Sequence, residues 1–183
     1  MHNPSESIPL GSRDSNSSQG TDLFASAGLQ GELFESDSPK PAPNLELNFA
    51  VGKPLEILVV DDNDINRKVI QAILGKLGYQ SLEASSGEQA LAIVDSCKID
   101  YIFTDLDMPG LSGIETAAAI RSKEAQLPNA RKIEIIAVTA NISDETRLSC
   151  KRAGMNGFLE KPISSSMVRD QLLRSWTRIR PKT

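Results

Sequence analysis

The side chains of this chain that are best suited to chemistry are carboxylates and a hydroxyl that come directly after apolar runs. They are Asp61, Asp62, Asp105 and Thr139, which follow the runs 57–60, 101–103 and 135–138. Short apolar runs of this kind are typical of buried strands. The carboxyl ends of parallel strands face one crevice, in which ligands bind. We therefore expect these side chains to converge with Lys161 at one rim of a sheet.

The chemistry of this set is that of a cation and a phosphate. Three carboxylates at one rim repel one another, and this repulsion favours a bound cation. Magnesium is a hard cation that accepts oxygen ligands and keeps several waters. An aspartate can attack phosphorus to form an acyl phosphate, and phosphoryl transfer asks little of a protein beyond positioning and charge neutralisation. The residues therefore predict a phosphate-handling aspartate site with magnesium.

The elements that must position these residues alternate between strand and helix five times. The predicted strands are 57–60, 79–83, 101–104, 133–138 and 157–159, and the predicted helices are 64–77, 86–96, 112–123, 143–153 and 164–179. Such alternation with short loops predicts an α/β domain, here over residues 55–180, in which helices cover both faces of a parallel sheet.

The first predicted helix shows the pattern most fully. Five apolar residues at helical spacing predict its inward face: Val69, Ile70, Ile73, Leu74 and Leu77. Asp64 is the predicted N-cap, because a carboxylate there accepts hydrogen bonds from free backbone N–H groups. Gly78 is the predicted C-terminal stop, since glycine readily adopts the left-handed conformation that ends helices.

Residues 1 to about 50 have a different character. They are rich in Ser, Asn, Gly and Pro and bury too little apolar surface to offset chain entropy, so we expect a disordered tail or linker. Asp22-Leu23-Phe24 is echoed by Glu32-Leu33-Phe34, and the two units are either docking motifs for a partner or a chance repeat in a biased segment. The stretch 45–49 alternates apolar and polar residues and is either a short extra strand or a segment lying against the domain.

The bulk composition excludes several classes of function. A net charge of −4 and a pI of about 5.1 give no electrostatic footprint for nucleic acid. The sequence contains no apolar run long enough to span a bilayer and no signal-peptide pattern, so we expect a cytoplasmic protein without membrane association. Cys97 and Cys150 are predicted to be reduced packing residues rather than a zinc site.

Residues from about 55 to the C-terminus resemble a response-regulator receiver domain, the phosphoacceptor module of two-component signalling. Five motif elements occur in the family's order and spacing: Asp61-Asp62, Thr104 to Pro109, Thr139-Ala140, Phe158 and Lys161-Pro162. The runs 61–67 and 150–155 look most like receivers of hybrid histidine kinases and phosphorelays. The resemblance implies a flavodoxin-like (βα)5 fold with strand order 2-1-3-4-5, an order that periodicity alone does not supply.

The resemblance also assigns roles to individual residues. It implies four magnesium ligands: the carboxylates of Asp61, Asp62 and Asp105 and the backbone carbonyl of Asp107. Asp105 is the implied phosphoacceptor. Lys161 is expected to pair with Asp105 at rest and with a phosphoryl oxygen afterwards, while Thr139 donates a hydrogen bond to another phosphoryl oxygen. Thr139 and Phe158 are the implied switch residues, which together change the surface offered to partners.

Two alternatives stay open at the level of sequence. Asp105-Leu106-Asp107 also matches the start of the nucleophile motif of haloacid-dehalogenase-like phosphatases. That family places its nucleophile after the first core strand, whereas Asp105 follows the third, and Met108-Pro109 stands where a Thr or Val would be expected. The second alternative is a receiver-shaped scaffold that is not phosphorylated, against which the intact set of five motifs argues.

The expected function is that of a phosphoacceptor in a histidine-to-aspartate relay. The resemblance implies a signalling domain rather than an enzyme, one able to catalyse its own phosphorylation and dephosphorylation. His2 is the chain's single histidine, so the phosphoryl group is expected from a histidine kinase or a histidine phosphotransfer domain. We expect either a single-domain regulator with an N-terminal tail or the C-terminal receiver of a hybrid kinase, and Met1 favours the former.

Overall fold

The apolar runs of the sequence form a parallel sheet. The structure is a computed structural model that describes residues 50–127 and 132–179. Its strands are β1 (Ile57–Val60), β2 (Ser81–Ala84), β3 (Tyr101–Asp105), β4 (Glu134–Thr139) and β5 (Gly157–Glu160). They pair in the order β2-β1-β3-β4-β5, and every pair is parallel. This order confirms the flavodoxin-like arrangement.

The register of the strands brings their carboxyl ends level. Val60 pairs with Thr104, so Asp61 and Asp105 are the next residues along two adjacent strands. Asp105 in turn pairs with Val138, and Thr139 pairs with Glu160. Compared with the prediction, β3 and β4 each run one residue further, so that Asp105 and Thr139 are the last residues of their strands rather than the first loop residues.

Burial distinguishes the central strands from the edge strands. All residues of β1, β3 and β4 are buried, whereas β2 and β5 each include exposed residues. Central strands of a parallel sheet are covered on both faces and therefore read as continuous apolar runs. This is why the sequence located these three strands well.

Five helices cover the sheet. They are α1 (Asp64–Lys76), α2 (Gly87–Ser96), α3 (Gly113–Gln126), α4 (Asp144–Arg152) and α5 (Ser165–Ile179). Apolar side chains of α1 and α5 pack against one face of the sheet, and those of α2, α3 and α4 pack against the other. In the described ranges, no helix is long and apolar enough to cross a membrane.

Three predictions for single residues are wrong. The N-cap of α1 is Asn63 and not Asp64, because Asn63 has an extended backbone and its side chain accepts from the Ile65 and Asn66 N–H groups. Val69 is 44% exposed, since it lies about 100° around the helix from Ile70 and so outside the buried arc. Cys97 is exposed at the end of α2 rather than packed.

Other details of the prediction are confirmed. Gly78 follows α1 with a φ of 86°, as a left-handed helix stop requires. Cys150 is buried in α4, and burial raises the pKa of its thiol. The predicted tail, its two Leu-Phe units and the stretch 45–49 lie outside the described residues, so these stay predictions.

Gly113, the first residue of α3, packs directly on the carboxyl end of β3. A Cβ built on Gly113 would lie 2.0 Å from the backbone oxygen of Asp105 and 3.1 Å from the Leu106 Cα. Backbone atoms at that distance must move, so the loop that leaves Asp105 fits only against a glycine. Gly75 in α1 is the matched opposite, because a Cβ there meets no atom within 4 Å.

We predict that Gly113→Ala lowers the free energy of unfolding by about 1 to 3 kcal/mol, the usual cost of overpacking. Gly75→Ala should raise it by about 0.5 to 1 kcal/mol, because alanine loses less conformational entropy in a helix. Urea unfolding of both variants measures the difference. A Gly113→Ala variant as stable as the wild type would contradict the close approach of α3 to β3.

Candidate functional site

The predicted polar residues do converge at the carboxyl ends of β1, β3, β4 and β5. Asp61, Asp105 and Thr139 are buried, at 0%, 8% and 2% exposure. Lys161 follows β5, and its backbone N–H donates to the Thr139 carbonyl at 2.8 Å, which continues the strand pairing to the lysine. The side chain of Lys161 is 21% exposed. The four residues thus line one largely enclosed rim.

Lys161 is shared between two carboxylates. Its Nζ lies 2.9 Å from Asp61 Oδ2 and 3.2 Å from Asp105 Oδ1. The pair with Asp105 is the one that the family resemblance implies, and the structure adds the closer contact with Asp61. Burial lowers the pKa of Lys161, but the hydrogen bond that its amine donates to Asp61 and the charges of Asp105 and Asp61 outweigh burial and leave this pKa raised. The amine therefore stays charged.

The surroundings of Asp105 disfavour the charged form of its carboxyl group. Burial raises its pKa, and the neighbouring charge of Asp61 adds to this effect. The charge of Lys161 and a hydrogen bond from the Leu106 N–H oppose the rise without cancelling it. Both of these contacts are made to Oδ1. A buried carboxylate whose charged form is disfavoured is stabilised by any further cation that reaches the site.

Asp61 is fixed more firmly than Asp105. Its Oδ1 accepts from the Asn63 N–H at 2.9 Å and from Asn66 Nδ2 at 3.1 Å, while Oδ2 accepts from Lys161. The hydrogen bonds of Asn63 and Asn66 to Asp61 were not predicted from the sequence. The signal available was the presence of two amide side chains within five residues of an aspartate that follows a strand.

The donor set suits a divalent cation. Carboxylate oxygens of Asp61, Asp62 and Asp105 lie within 4.8 Å of one another, with Asp62 exposed and the other two buried. Set against the single charge of Lys161, three carboxylates leave an excess of negative charge at this rim. All-oxygen ligands with excess negative charge are what magnesium prefers. Asp107, the predicted carbonyl ligand, is exposed in the loop after β3.

Thr139 ends β4 and Phe158 lies in β5, and neither side chain is seen to contact the three carboxylates among the described residues. The Thr139 hydroxyl lies 3.2 Å from both the carbonyl and the N–H of Asn141, so it is turned towards the loop after β4. Phe158 is half-buried against the cluster that contains Leu106. The guanidinium of Arg147 on α4 lies 4.1 Å from the centre of the Phe158 ring. The sequence analysis did not detect this contact.

Comparison with known proteins decides the family. A model of the response regulator receiver domain matches residues 57–173. The chain belongs to this family. The phosphatase alternative is thereby set aside, in keeping with the position of Asp105 on the third strand.

The relatives include hybrid kinases and receivers of known structure. The sensor histidine kinase RcsC of Escherichia coli K12 is 34% identical over 148 residues, which cover 80% of this chain and 15% of the kinase. The chain therefore spans about one seventh of the length of that relative. The receiver domain of the Pseudomonas aeruginosa kinase PA1611, solved with magnesium coordinated in its active-site cleft, is 37% identical. Its TM-score is 0.59, over 67% of this chain and 96% of that domain.

A third relative was solved together with a partner. The receiver domain of the Saccharomyces cerevisiae response regulator Ssk1 was crystallised with the histidine phosphotransfer protein Ypd1. It is 30% identical, with a TM-score of 0.61 over 67% of this chain and 88% of that chain. Receivers similar to this chain thus occur both inside kinases and in separate regulators.

Proposed function

We propose that this domain accepts a phosphoryl group on Asp105 from a phosphohistidine and then changes its partner-binding surface. The observation that carries the proposal is the sharing of Lys161 between Asp61 and Asp105 beside a third carboxylate. A structural ion pair needs one carboxylate for one amine. Three carboxylates near one half-buried amine suit a site in which a cation and an anionic group also bind.

Each residue of the site has a distinct task in this reaction. Asp105 bonds to phosphorus through a carboxylate oxygen as the phosphorus–nitrogen bond of the donor breaks. Lys161 forms an ion pair with Asp105 in this structure. It therefore lies within reach of a phosphoryl oxygen on that carboxylate and can neutralise the charge of this oxygen. Magnesium, held by Asp61, Asp62, Asp105 and the Asp107 carbonyl, would supply further positive charge when bound. Asp61, fixed by three donors, keeps Lys161 at the site while Asp105 changes partner.

The domain acts in this proposal as a substrate of phosphoryl transfer and not as a classical enzyme. Any rate enhancement of its own phosphorylation or dephosphorylation would come from the same charge neutralisation. The relatives support the proposal, since a similar receiver binds magnesium and another is paired with a histidine phosphotransfer protein.

We predict that incubation with acetyl phosphate and magnesium adds the mass of one phosphate to the intact chain, and that Asp105→Asn abolishes this gain. The amide cannot form the acyl phosphate. Asp62→Ala, which keeps the acceptor but removes a magnesium ligand, should slow labelling without abolishing it. Intact-mass spectrometry measures all three proteins, and full labelling of Asp105→Asn would refute the acceptor assignment.

The surface next to Lys161 is suited to the phosphodonor. A cavity of about 430 Å³ is lined by Asn66, Val69, Ile70, Lys161, Pro162 and Ile163. On the same helix as Asn66, Ile65 is 71% exposed and Val69 is 44% exposed. Exposed apolar side chains that adjoin a polar site are typical of protein interfaces. We therefore propose that a histidine kinase or histidine phosphotransfer domain docks on the amino-terminal half of α1.

We predict that Ile65→Glu weakens binding of the phosphodonor domain about tenfold or more, the cost of losing one anchor residue. Leu127→Glu is the control, because Leu127 is also well exposed, at 62%, but caps the end of α3 near Asp100 and Ile133, at the amino ends of β3 and β4. Labelling by acetyl phosphate should be unchanged in both variants. If Leu127→Glu weakens donor binding as much as Ile65→Glu, the docking surface is wrong.

The switch is proposed from Thr139 and Phe158. A phosphoryl oxygen on Asp105 would draw the Thr139 hydroxyl away from Asn141, and the Phe158 ring would turn into the space that this leaves. The ring would then leave the guanidinium of Arg147, a contact worth about 0.5 to 1 kcal/mol at an exposed site. The surface formed by α4 and β5 would change as a result.

We predict that beryllofluoride, which mimics the phosphoryl group, shifts amide NMR signals of α4 and β5 in the wild type. Thr139→Ala should still bind it but lose most of these distant shifts. Coupling of this kind typically amounts to about 1 to 3 kcal/mol, or about 5- to 150-fold in partner affinity. Wild-type shifts confined to the neighbours of Asp61, Asp62 and Asp105 would contradict the switch and leave a simple relay.

Some parts of the functional prediction are tested by neither the structure nor the relatives. They are the cytoplasmic location, the absence of nucleic-acid and membrane partners, and a partner for the Leu23-Phe24 and Leu33-Phe34 units. These stay predictions.

A further inference from the structure

The loop that carries Asp61 and Asp62 is held from behind by a largely buried guanidinium. The side chain of Arg67 on α1 is 12% exposed. Its Nη1 donates to the Asp61 carbonyl at 2.8 Å and lies 3.4 Å from the Asp62 carbonyl. These two carbonyls belong to the peptide groups on either side of Asp62. One nitrogen therefore restrains both peptide groups that flank this residue.

The position of the Asp62 carboxylate depends on the backbone more than the positions of the Asp61 and Asp105 carboxylates do. The Asp61 carboxylate is held by three donors, and Asp105 is held by Lys161 and the Leu106 N–H. Asp62 is exposed, and among the described residues no hydrogen bond or ion pair reaches its carboxylate. The peptide groups beside Asp62 therefore set the direction of its Cα–Cβ bond, and with it the positions that the carboxylate can reach.

The charge of Arg67 is already compensated. Its Nε lies 3.2 Å from Glu83 Oε2 on β2, and its Nη2 lies 3.2 Å from Asp64 Oδ1. The residue after Glu83, Ala84, accepts from the Asp61 N–H at 3.2 Å. The guanidinium thus ties the acidic loop to α1 and β2, while two carboxylates offset the repulsion it would otherwise exert on a bound cation.

We propose that Arg67 is a positioning residue for Asp62: it orients the Asp62 carboxylate so that this group joins Asp61 and Asp105 as a set of ligands for a divalent cation. The inference rests on the magnesium-dependent function proposed above. The helix α1 would then have two roles: its exposed face docks the phosphodonor, and its Arg67 helps to form the cation site.

A substitution that removes the charge of Arg67 separates a positioning role from a purely electrostatic one by the direction in which it changes cation affinity. Removal of a positive charge near a cation site strengthens cation binding by Coulomb's law, whereas loss of a positioning contact weakens it. Lys68→Met provides a matched control. Lys68 is the next residue on α1, pairs with the same Asp64, and is 70% exposed without contact to the loop carbonyls.

The test is isothermal titration of the full chain with magnesium chloride at fixed ionic strength and without a phosphodonor. Arg67→Met should bind magnesium about 10- to 100-fold more weakly, the usual cost of losing a residue that orients a ligand. Lys68→Met should bind it as the wild type does or more tightly. Unchanged or tighter binding by Arg67→Met would overturn the inference.

A double-variant cycle tests whether Arg67 acts through Asp62. In the Asp62→Asn background, Arg67→Met should weaken magnesium binding little further, because the oriented ligand is already gone. An undiminished further loss in that background would overturn the inference. If Arg67→Met does not fold by its amide NMR spectrum, Arg67→Gln replaces it, because glutamine keeps a polar group at this position but is too short to reach the loop carbonyls that Nη1 contacts. Arg67→Gln should also bind magnesium more weakly than the wild type, and equal affinity would overturn the inference.

The outcome for the wild type separates this inference from the proposed function. If the wild type binds magnesium and Arg67→Met binds it equally well, the function stands and the role of Arg67 is wrong. If the wild type does not bind magnesium, the magnesium-dependent function is itself wrong, and the role of Arg67 falls with it.

Discussion

The site depends on one amine that two buried carboxylates share. Lys161 reaches Asp61 at 2.9 Å and Asp105 at 3.2 Å, with Asp62 as a third carboxylate close by. Taking charged groups out of water is costly, and a buried charge is tolerated when it is well paired and hydrogen-bonded. Asp61 meets this condition through three donors, but Asp105 does not meet it fully, since burial keeps its pKa raised. This unbalanced negative charge favours a bound cation, and a cation beside Asp105 would in turn offset the charge of a phosphoryl group.

The fold holds these charged side chains close together. Lys161 and Asp61 are 100 residues apart in the chain, and they meet because four parallel strands end level at one edge of the sheet. The three central strands are buried on both faces, so β3, which carries Asp105, can shift little. Gly113 lets α3 begin in contact with the Asp105 carbonyl. Asp61 and Asp105 are therefore carried at the ends of fully buried strands that pair on both edges, which suits a pre-organised site.

The strands, the helices and the main site residues could be predicted because their signals lie in short, continuous stretches of sequence. Buried parallel strands read as apolar runs, and the polar residue after each run marks the binding edge. The strand order came from the family resemblance, because periodicity carries no information on which strands are neighbours. Residues that act across the fold could not be found in this way. Arg147 meets Phe158 from another element, and Arg67 contacts backbone carbonyls that any residue would offer. Asn63 displaced Asp64 as the helix cap because capping depends on a single backbone conformation.

The surroundings of Asp105 leave its negative charge incompletely balanced, and a bound cation should relieve this imbalance. The most direct test is a pH titration of the Asp105 carboxyl carbon by NMR in protein labelled with 13C-aspartate, with Asp105→Asn used to assign the signal. Without magnesium the pKa of Asp105 should lie above the usual range for aspartate, because burial and Asp61 disfavour the carboxylate. Saturating magnesium should lower this pKa, since a nearby positive charge favours the ionised form. A pKa of Asp105 in the usual range that magnesium leaves unchanged would contradict the account.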